Sequence, residues 1–152
     1  RRRRIAVLAT EHSLRSDMFL ATARRYAEDV EVVKVVGEGF VELVERDMET
    51  TPEAEHQVRK VVEPLLGSGV DKIGLGCTHY PFLRAEIERV VEGHGIEIID
   101  SGEAVARRVE WLLERYDITA AGDNIPEMRY LTFADEEYLR RLEHKAKMIL
   151  KK

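Results

Sequence analysis

Ile5-Ala6-Val7-Leu8-Ala9 is a short unbroken apolar run, the pattern of a strand buried on both faces. The period then changes. Leu14, Met18, Leu20, Ala21 and Tyr26 fall at broadly helical spacing and predict a helix from Leu14 to Asp29, with Ser13 placed to cap it. Glu31 to Val36 is rich in β-branched residues and predicts a second strand. Phe40, Val41, Leu43 and Val44 predict a short helix after it. Thr50, Pro52 and Glu53 form a start signal for a helix that runs through Val58, Val61 and Val62. Pro64 lacks an amide donor and is expected to kink or restart that helix, and Gly67-Ser68-Gly69 ends it.

The alternation continues. Asp71 to Gly76 predicts a third strand, thinned by glycines, and Cys77 to Tyr80 a loop. Pro81 suits the first position of a helix carrying Leu83, Ile87 and Val90. After a turn at Gly93-His94-Gly95, Ile96 to Ile99 predicts a fourth strand. Asp100-Ser101-Gly102 then precedes a helix holding Val105, Val109, Leu112 and Leu113. Residues 117–127 read as loop, Arg129 to Phe133 as one more strand, and Asp135 to Leu150 as a final, highly charged helix. Strand and helix in turn predict an α/β fold: an open parallel sheet with helices on both faces, plus a helical C-terminal tail. The composition shifts near Ser101, so residues 1–100 are expected to form the α/β domain and 101–152 a tail of a second packing unit.

Composition narrows the function. A chain of 152 residues is long enough to bury a hydrophobic core without disulfides or metals. A net charge of −5 speaks against a general nucleic-acid binder; Arg1-Arg2-Arg3-Arg4 could form a local basic patch, with a solvated edge ahead of the first strand or a cut or tag junction as the plainer reading. No apolar run approaches the roughly 20 residues that span a bilayer, and the charged N-terminus does not suit a signal peptide, so no membrane partner is expected. One cysteine excludes an intrachain disulfide and any multi-cysteine metal site, and fits a reducing, cytoplasmic setting. His12, His56, His94 and His144 stand isolated and read as surface residues; no metal-binding spacing such as His-Glu-x-x-His occurs. Gly74-x-Gly76 lacks the rest of a dinucleotide fingerprint.

In open α/β sheets, ligands bind beyond the carboxyl ends of the strands. Three polar clusters follow predicted strands there: Thr10-Glu11-His12-Ser13, Gly76-Cys77-Thr78-His79 and Asp100-Ser101-Gly102. The helix from Phe40 to Glu45 can close the same edge. Cys77 precedes a helix start, a setting in which thiols react, and His79 and Glu45 are candidates to relay its proton. A free cysteine also packs well as a small buried hydrophobe, and position alone leaves both roles open. Thr10, Ser13 and Thr78 offer hydroxyls suited to a carboxylate or phosphate ligand, with helix capping as the plainer role for Ser13 and in part for Thr78. A glutamate such as Glu45 on a short helix is more often a solvated face residue.

Leu75-Gly76-Cys77-Thr78-His79-Tyr80-Pro81 closely resembles the second-cysteine signature of bacterial glutamate racemases, in the aspartate/glutamate racemase family. Leu8 to Ser16 is similar to that family's threonine-rich substrate loop, Phe40 to Glu45 to the segment carrying its glutamate, and Ile98 to Ala106 to its crossover into the last helices. The resemblance covers most of residues 5–115, and more loosely 129–150. It implies an isomerase that interconverts L- and D-glutamate for peptidoglycan synthesis, cell-wall biogenesis and cell shape, without pyridoxal phosphate, metal or other cofactor. Cys77 would be one of two cysteine acid/bases, with His79 and Glu45 as auxiliary groups. Thr10, Ser13 and Thr78 would hold the substrate's carboxylate and ammonium groups.

Three positions depart from the family pattern: His12 stands where glycine is usual, Ser13 where threonine is, and Glu42 where proline is. The family's first half, with its Asp-Ser-Gly strand end, Pro-Tyr-Gly segment and Cys-Asn-Thr motif, has no counterpart in this sequence. Family proteins insert one α/β domain into another, and the resemblance implies that this chain is the inserted domain followed by the returning tail. Its expected partners are glutamate and either a missing N-terminal half or a second subunit. Inverting an α-carbon requires a proton removed from one face and another delivered to the opposite face. One thiol serves one face, so the chain alone is not expected to racemise glutamate efficiently. The alternatives are a single-cysteine enzyme resembling arylmalonate decarboxylases, and a non-catalytic half-domain that binds an acidic ligand or a partner.

Overall fold

The computed structural model describes residues 3–120, 122 and 127–150, without the side chains of 148–150. Four strands, β1 (Arg4–Ala9), β2 (Glu31–Val36), β3 (Lys72–Leu75) and β4 (Glu97–Ile99), form one sheet in the order β2-β1-β3-β4. Every pairing is parallel; Leu8 lies opposite both Val35 and Leu75, and Ile73 opposite both Ala6 and Ile98. The chain steps outward from β1 to β2, then crosses back over β1 to β3, so its direction across the sheet reverses between β1 and β3. Right-handed crossovers therefore place the β1–β2 connection on one face and the two later connections on the other.

The first connection contains α1 (Glu11–Arg15) and α2 (Asp17–Tyr26). The second contains α3 (Phe40–Glu45) and α4 (Pro52–Val62), followed by a 3₁₀ turn at Glu63–Leu65 that absorbs Pro64. The third is a 3₁₀ turn at Tyr80–Leu83 running into α5 (Arg84–Val91). The helices α4 and α5 pack against each other on the shared face. The core lies on that side: Ala6, Leu8, Ile73 and Ile98 of the sheet meet Phe40, Val58, Val62, Leu83 and Ile87.

Several local expectations shift. β1 is not buried on both faces: Ala6 and Leu8 are fully covered, whereas Ile5 and Val7 are only half-buried. Alternate side chains point to opposite faces, and α2 on that side buries none of its residues. The helix expected over Leu14–Asp29 is two helices. Ser16 adopts an extended conformation (φ −65°, ψ 143°), its hydroxyl accepts from the Phe19 amide at 3.2 Å, and it donates to the Ser13 carbonyl at 2.8 Å. Thr10, not Ser13, caps α1, accepting from the Ser13 amide at 3.3 Å. Thr51, not Thr50, caps α4, accepting from the Ala54 amide at 3.3 Å with Pro52 in the first turn. Pro81 sits inside the 3₁₀ turn rather than at the head of α5.

Arg129–Phe133 pairs with no strand among the described residues, and Leu131 and Phe133 are exposed. A β-prone stretch without a ladder partner has no sheet to satisfy its amides. The chain divides between Glu110 and Trp111 into two compact units. The helix α6 (Gly102–Arg115) crosses that boundary, and α7 (Glu136–Leu150) lies wholly in the second unit. Asp135 caps α7 by accepting from the Tyr138 amide at 2.8 Å. In the arginine run, Arg3 faces Asp29 at 3.7 Å and Arg4 faces Glu31 at 3.1 Å; Arg1 and Arg2, like 121 and 123–126 of the expected loop, lie outside the described residues. Among the described residues no helix is long and apolar enough to cross a membrane.

Candidate active site

A reversal of strand order opens a crevice at the carboxyl ends of the two strands flanking it. Here those strands are β1 and β3, and their exits converge. The Gly76 amide donates to the Leu8 carbonyl at 2.8 Å, extending the pairing one residue past β3. A Cβ on Gly76 would stand 3.1 Å from that of Ala9, so glycine lets the exits run this close. Thr10 follows β1 directly, and Cys77 follows Gly76.

The half-buried Cys77 thiol faces an imidazole: its Sγ is 3.8 Å from Nδ1 of His79. The Thr78 hydroxyl oxygen is 3.5 Å from the same nitrogen. The other ring nitrogen, Nε2, lies 2.6 Å from Oε1 of Glu45. An ionised carboxylate only accepts, so Nε2 carries a proton. Nδ1 is then either an acceptor for the thiol proton or, in the imidazolium, a donor to the thiolate. Cys77, His79 and Glu45 thus form a chain along which a proton can pass to and from sulfur.

Glu45 reaches this position because it is the last residue of α3. Phe40, Leu43 and Val44 of that helix are buried. The Phe40 ring meets Tyr80 edge-on at 5.2 Å between centroids. Tyr80 is fully buried and donates its hydroxyl proton to the Gly37 carbonyl at 3.1 Å. Burial first, and the negative charges of Cys77 and Glu42 second, push the Tyr80 phenol up to about 12. A Cβ at Gly37 would fall 2.4 Å from the Tyr80 hydroxyl oxygen, so only glycine admits this approach. Pattern reading placed Tyr80 in a loop and passed over Gly37. The available signal was Gly37-Glu38-Gly39 just ahead of an apolar helix start.

The sequence candidates fall into two groups. Cys77, Thr78, His79 and Glu45 meet directly. Thr10 and Ser13 form their own pair at the exit of β1: the Thr10 hydroxyl donates to the Ser13 oxygen at 2.9 Å, and both residues are half-buried. The third rim cluster is committed to closing β4. Asp100 accepts from Arg84 and from the Gly102 amide, each at 2.8 Å, while Arg84 also donates to the Ile98 carbonyl at 2.8 Å. His12, His56, His94 and His144 are all exposed.

The fold is that of an α/β protein with a parallel sheet, in which a thiol, an imidazole and a carboxylate stand in line at the point where the strand order reverses. Residues 1–109 match the family described as Asp/Glu/Hydantoin racemase, and the chain belongs to that family. It is similar to the glutamate racemase of Deinococcus radiodurans, 41% identical over 140 residues that cover 91% of this chain and 48% of that protein. The glutamate racemase of Pseudomonas putida strain GB-1 is 41% identical over 138 residues, covering 91% of this chain and 51% of its own length. Among solved structures, a glutamate racemase isoform of Bacillus anthracis aligns with 100% of this chain and 55% of its own, with a TM-score of 0.81 at 27% identity. The Francisella tularensis glutamate racemase, solved in complex with D-glutamate, has the same fold: TM-score 0.81 at 18% identity over 94% of this chain and 53% of that one. The chain spans about half the length of the curated relatives it matches.

Proposed function

We propose that this chain supplies one side of a glutamate racemase site, in which Cys77 exchanges a proton with the α-carbon of glutamate. The observation that carries the reading is the Cys77–His79–Glu45 chain at the β1/β3 reversal of a racemase-family fold. In one direction the Cα–H bond breaks and an S–H bond forms at Cys77, while a group on the opposite face delivers a proton to the planar carbanion. His79, held by Glu45, passes the sulfur's proton onward and resets it for the reverse direction. Thr10, Ser13 and Thr78 receive the substrate's carboxylate and ammonium groups. The opposite base comes from a second polypeptide segment or subunit, and the product D-glutamate serves peptidoglycan synthesis in the cytoplasm. The single cysteine of the sequence favours one variant for the chain by itself: one-face protonation of an enolate, as after decarboxylation of an arylmalonate.

The test is α-proton exchange of L- and D-glutamate in deuterium oxide, read by NMR, with circular dichroism reporting inversion. The chain alone should exchange one enantiomer without inverting it. A chimera joining it to the complementary half of the Deinococcus protein should both exchange and invert. Cys77→Ala should lower inversion by about 100-fold or more. Inversion by the chimera that survives Cys77→Ala, or no exchange in either protein, overturns the reading; release of carbon dioxide from an arylmalonate instead selects the variant.

A further inference from the structure

We infer that Tyr80 is a positioning residue: its hydroxyl latches the Gly37 carbonyl and thereby holds Glu45 of α3 against His79. The inference rests on the proton-relay reading above and deepens it.

Glu45 and His79 come from different parts of the chain, 34 residues apart, and meet at 2.6 Å. Their side chains are 35% and 29% exposed, so water competes for both, and an ion pair so placed contributes little to its own geometry. Something more rigid must set the distance between α3 and the exit of β3. Tyr80 is adjacent to His79 in sequence and has no exposed surface. Its ring packs edge-on against Phe40, the first residue of α3, and its hydroxyl bonds to Gly37, three residues before that helix. The same Gly37 carbonyl accepts from the Phe40 amide at 3.2 Å, so one oxygen ties the start of α3 to the residue beside the imidazole. The Gly37 amide in turn donates to the Ala9 carbonyl at 3.1 Å, anchoring the latch on β1. Its own ionisation is pushed up to about 12, so the phenol keeps the donor proton that the latch needs through the neutral range.

The rate at which iodoacetamide alkylates Cys77 reads the relay without requiring any racemase activity. It is measured between pH 5 and 9 on the 152-residue chain, with circular dichroism confirming the fold. Tyr80→Phe keeps the ring and removes only the hydroxyl. It should change the alkylation rate near neutrality by about two- to tenfold and reshape the pH profile in the same sense as Glu45→Gln. The double variant should behave like Glu45→Gln alone, because a latch has nothing to position once the carboxylate is gone. Gly37→Ala, whose methyl displaces the hydroxyl, should reproduce Tyr80→Phe. A Tyr80→Phe profile that overlays the wild type, or an effect that adds in full to Glu45→Gln, overturns the inference. Alkylation indifferent to Glu45→Gln overturns it together with the relay. Absent glutamate exchange with the alkylation pattern intact sinks the racemase reading and leaves the latch standing.

Discussion

His79 uses both ring nitrogens, one toward Glu45 and one toward Cys77 and Thr78, so its tautomer is set by what surrounds it. The neighbouring Tyr80 carries a second, measurable consequence. Its folded pKa is raised to about 12 from an ordinary value of 10.0. Between those values the unfolded chain releases this proton and the folded chain keeps it. The contribution is fully present below pH 10 and is lost as pH rises toward 12. Urea unfolding at pH 9, 10 and 11 should therefore show the wild type losing stability faster than Tyr80→Phe, with a gap between the two that shrinks as pH rises. A gap that stays constant removes the burial account. The motif residues Cys77, Thr78 and His79 were legible because they are contiguous. Tyr80 belongs to the same stretch, but its role and that of Gly37 were not legible, because a tyrosine in a short connection looks the same whether it is buried or solvated.

At the scale of elements, the caps decide where helices begin, and two of them differ by one or a few residues from the sequence expectation. Thr51 accepts from the Ala54 amide and donates to the Met48 carbonyl at 2.8 Å, while the adjacent Thr50 is exposed. Thr51→Ala should cost about 1 kcal/mol in urea titration, and Thr50→Ala less than about 0.5 kcal/mol. Equal costs would assign the cap to neither. Adjacent threonines before a proline carry the same local propensity, so only backbone geometry separates them. Ser16 illustrates the same limit. Its hydroxyl serves both the end of α1 and the start of α2, dividing a stripe whose periodicity reads as one helix.

At the scale of the whole sheet unit, the packing is one-sided. The helices α4 and α5 press a continuous core onto the sheet, whereas α2 on the opposite side buries no residue. Ile87→Ala, at 0% exposure on α5, should cost about 2–5 kcal/mol, and Met18→Ala, at 79% exposure on α2, within about 0.5 kcal/mol by the same measurement. A comparable loss at both positions would contradict the asymmetry. Strand and helix order, the parallel sheet and the polar rim after β1 and β3 were determined by the sequence alone, because periodicity and turn chemistry act over a few neighbouring residues. Arg129–Phe133 shows where that runs out: β propensity makes no strand without a ladder to join. Only the tertiary structure decided that Glu45 meets His79 and that Tyr80 reaches Gly37, across 34 and 43 residues respectively. Such meetings depend on which face each crossover takes and on how closely two backbones pack, and neither quantity is written in any local stretch of chain.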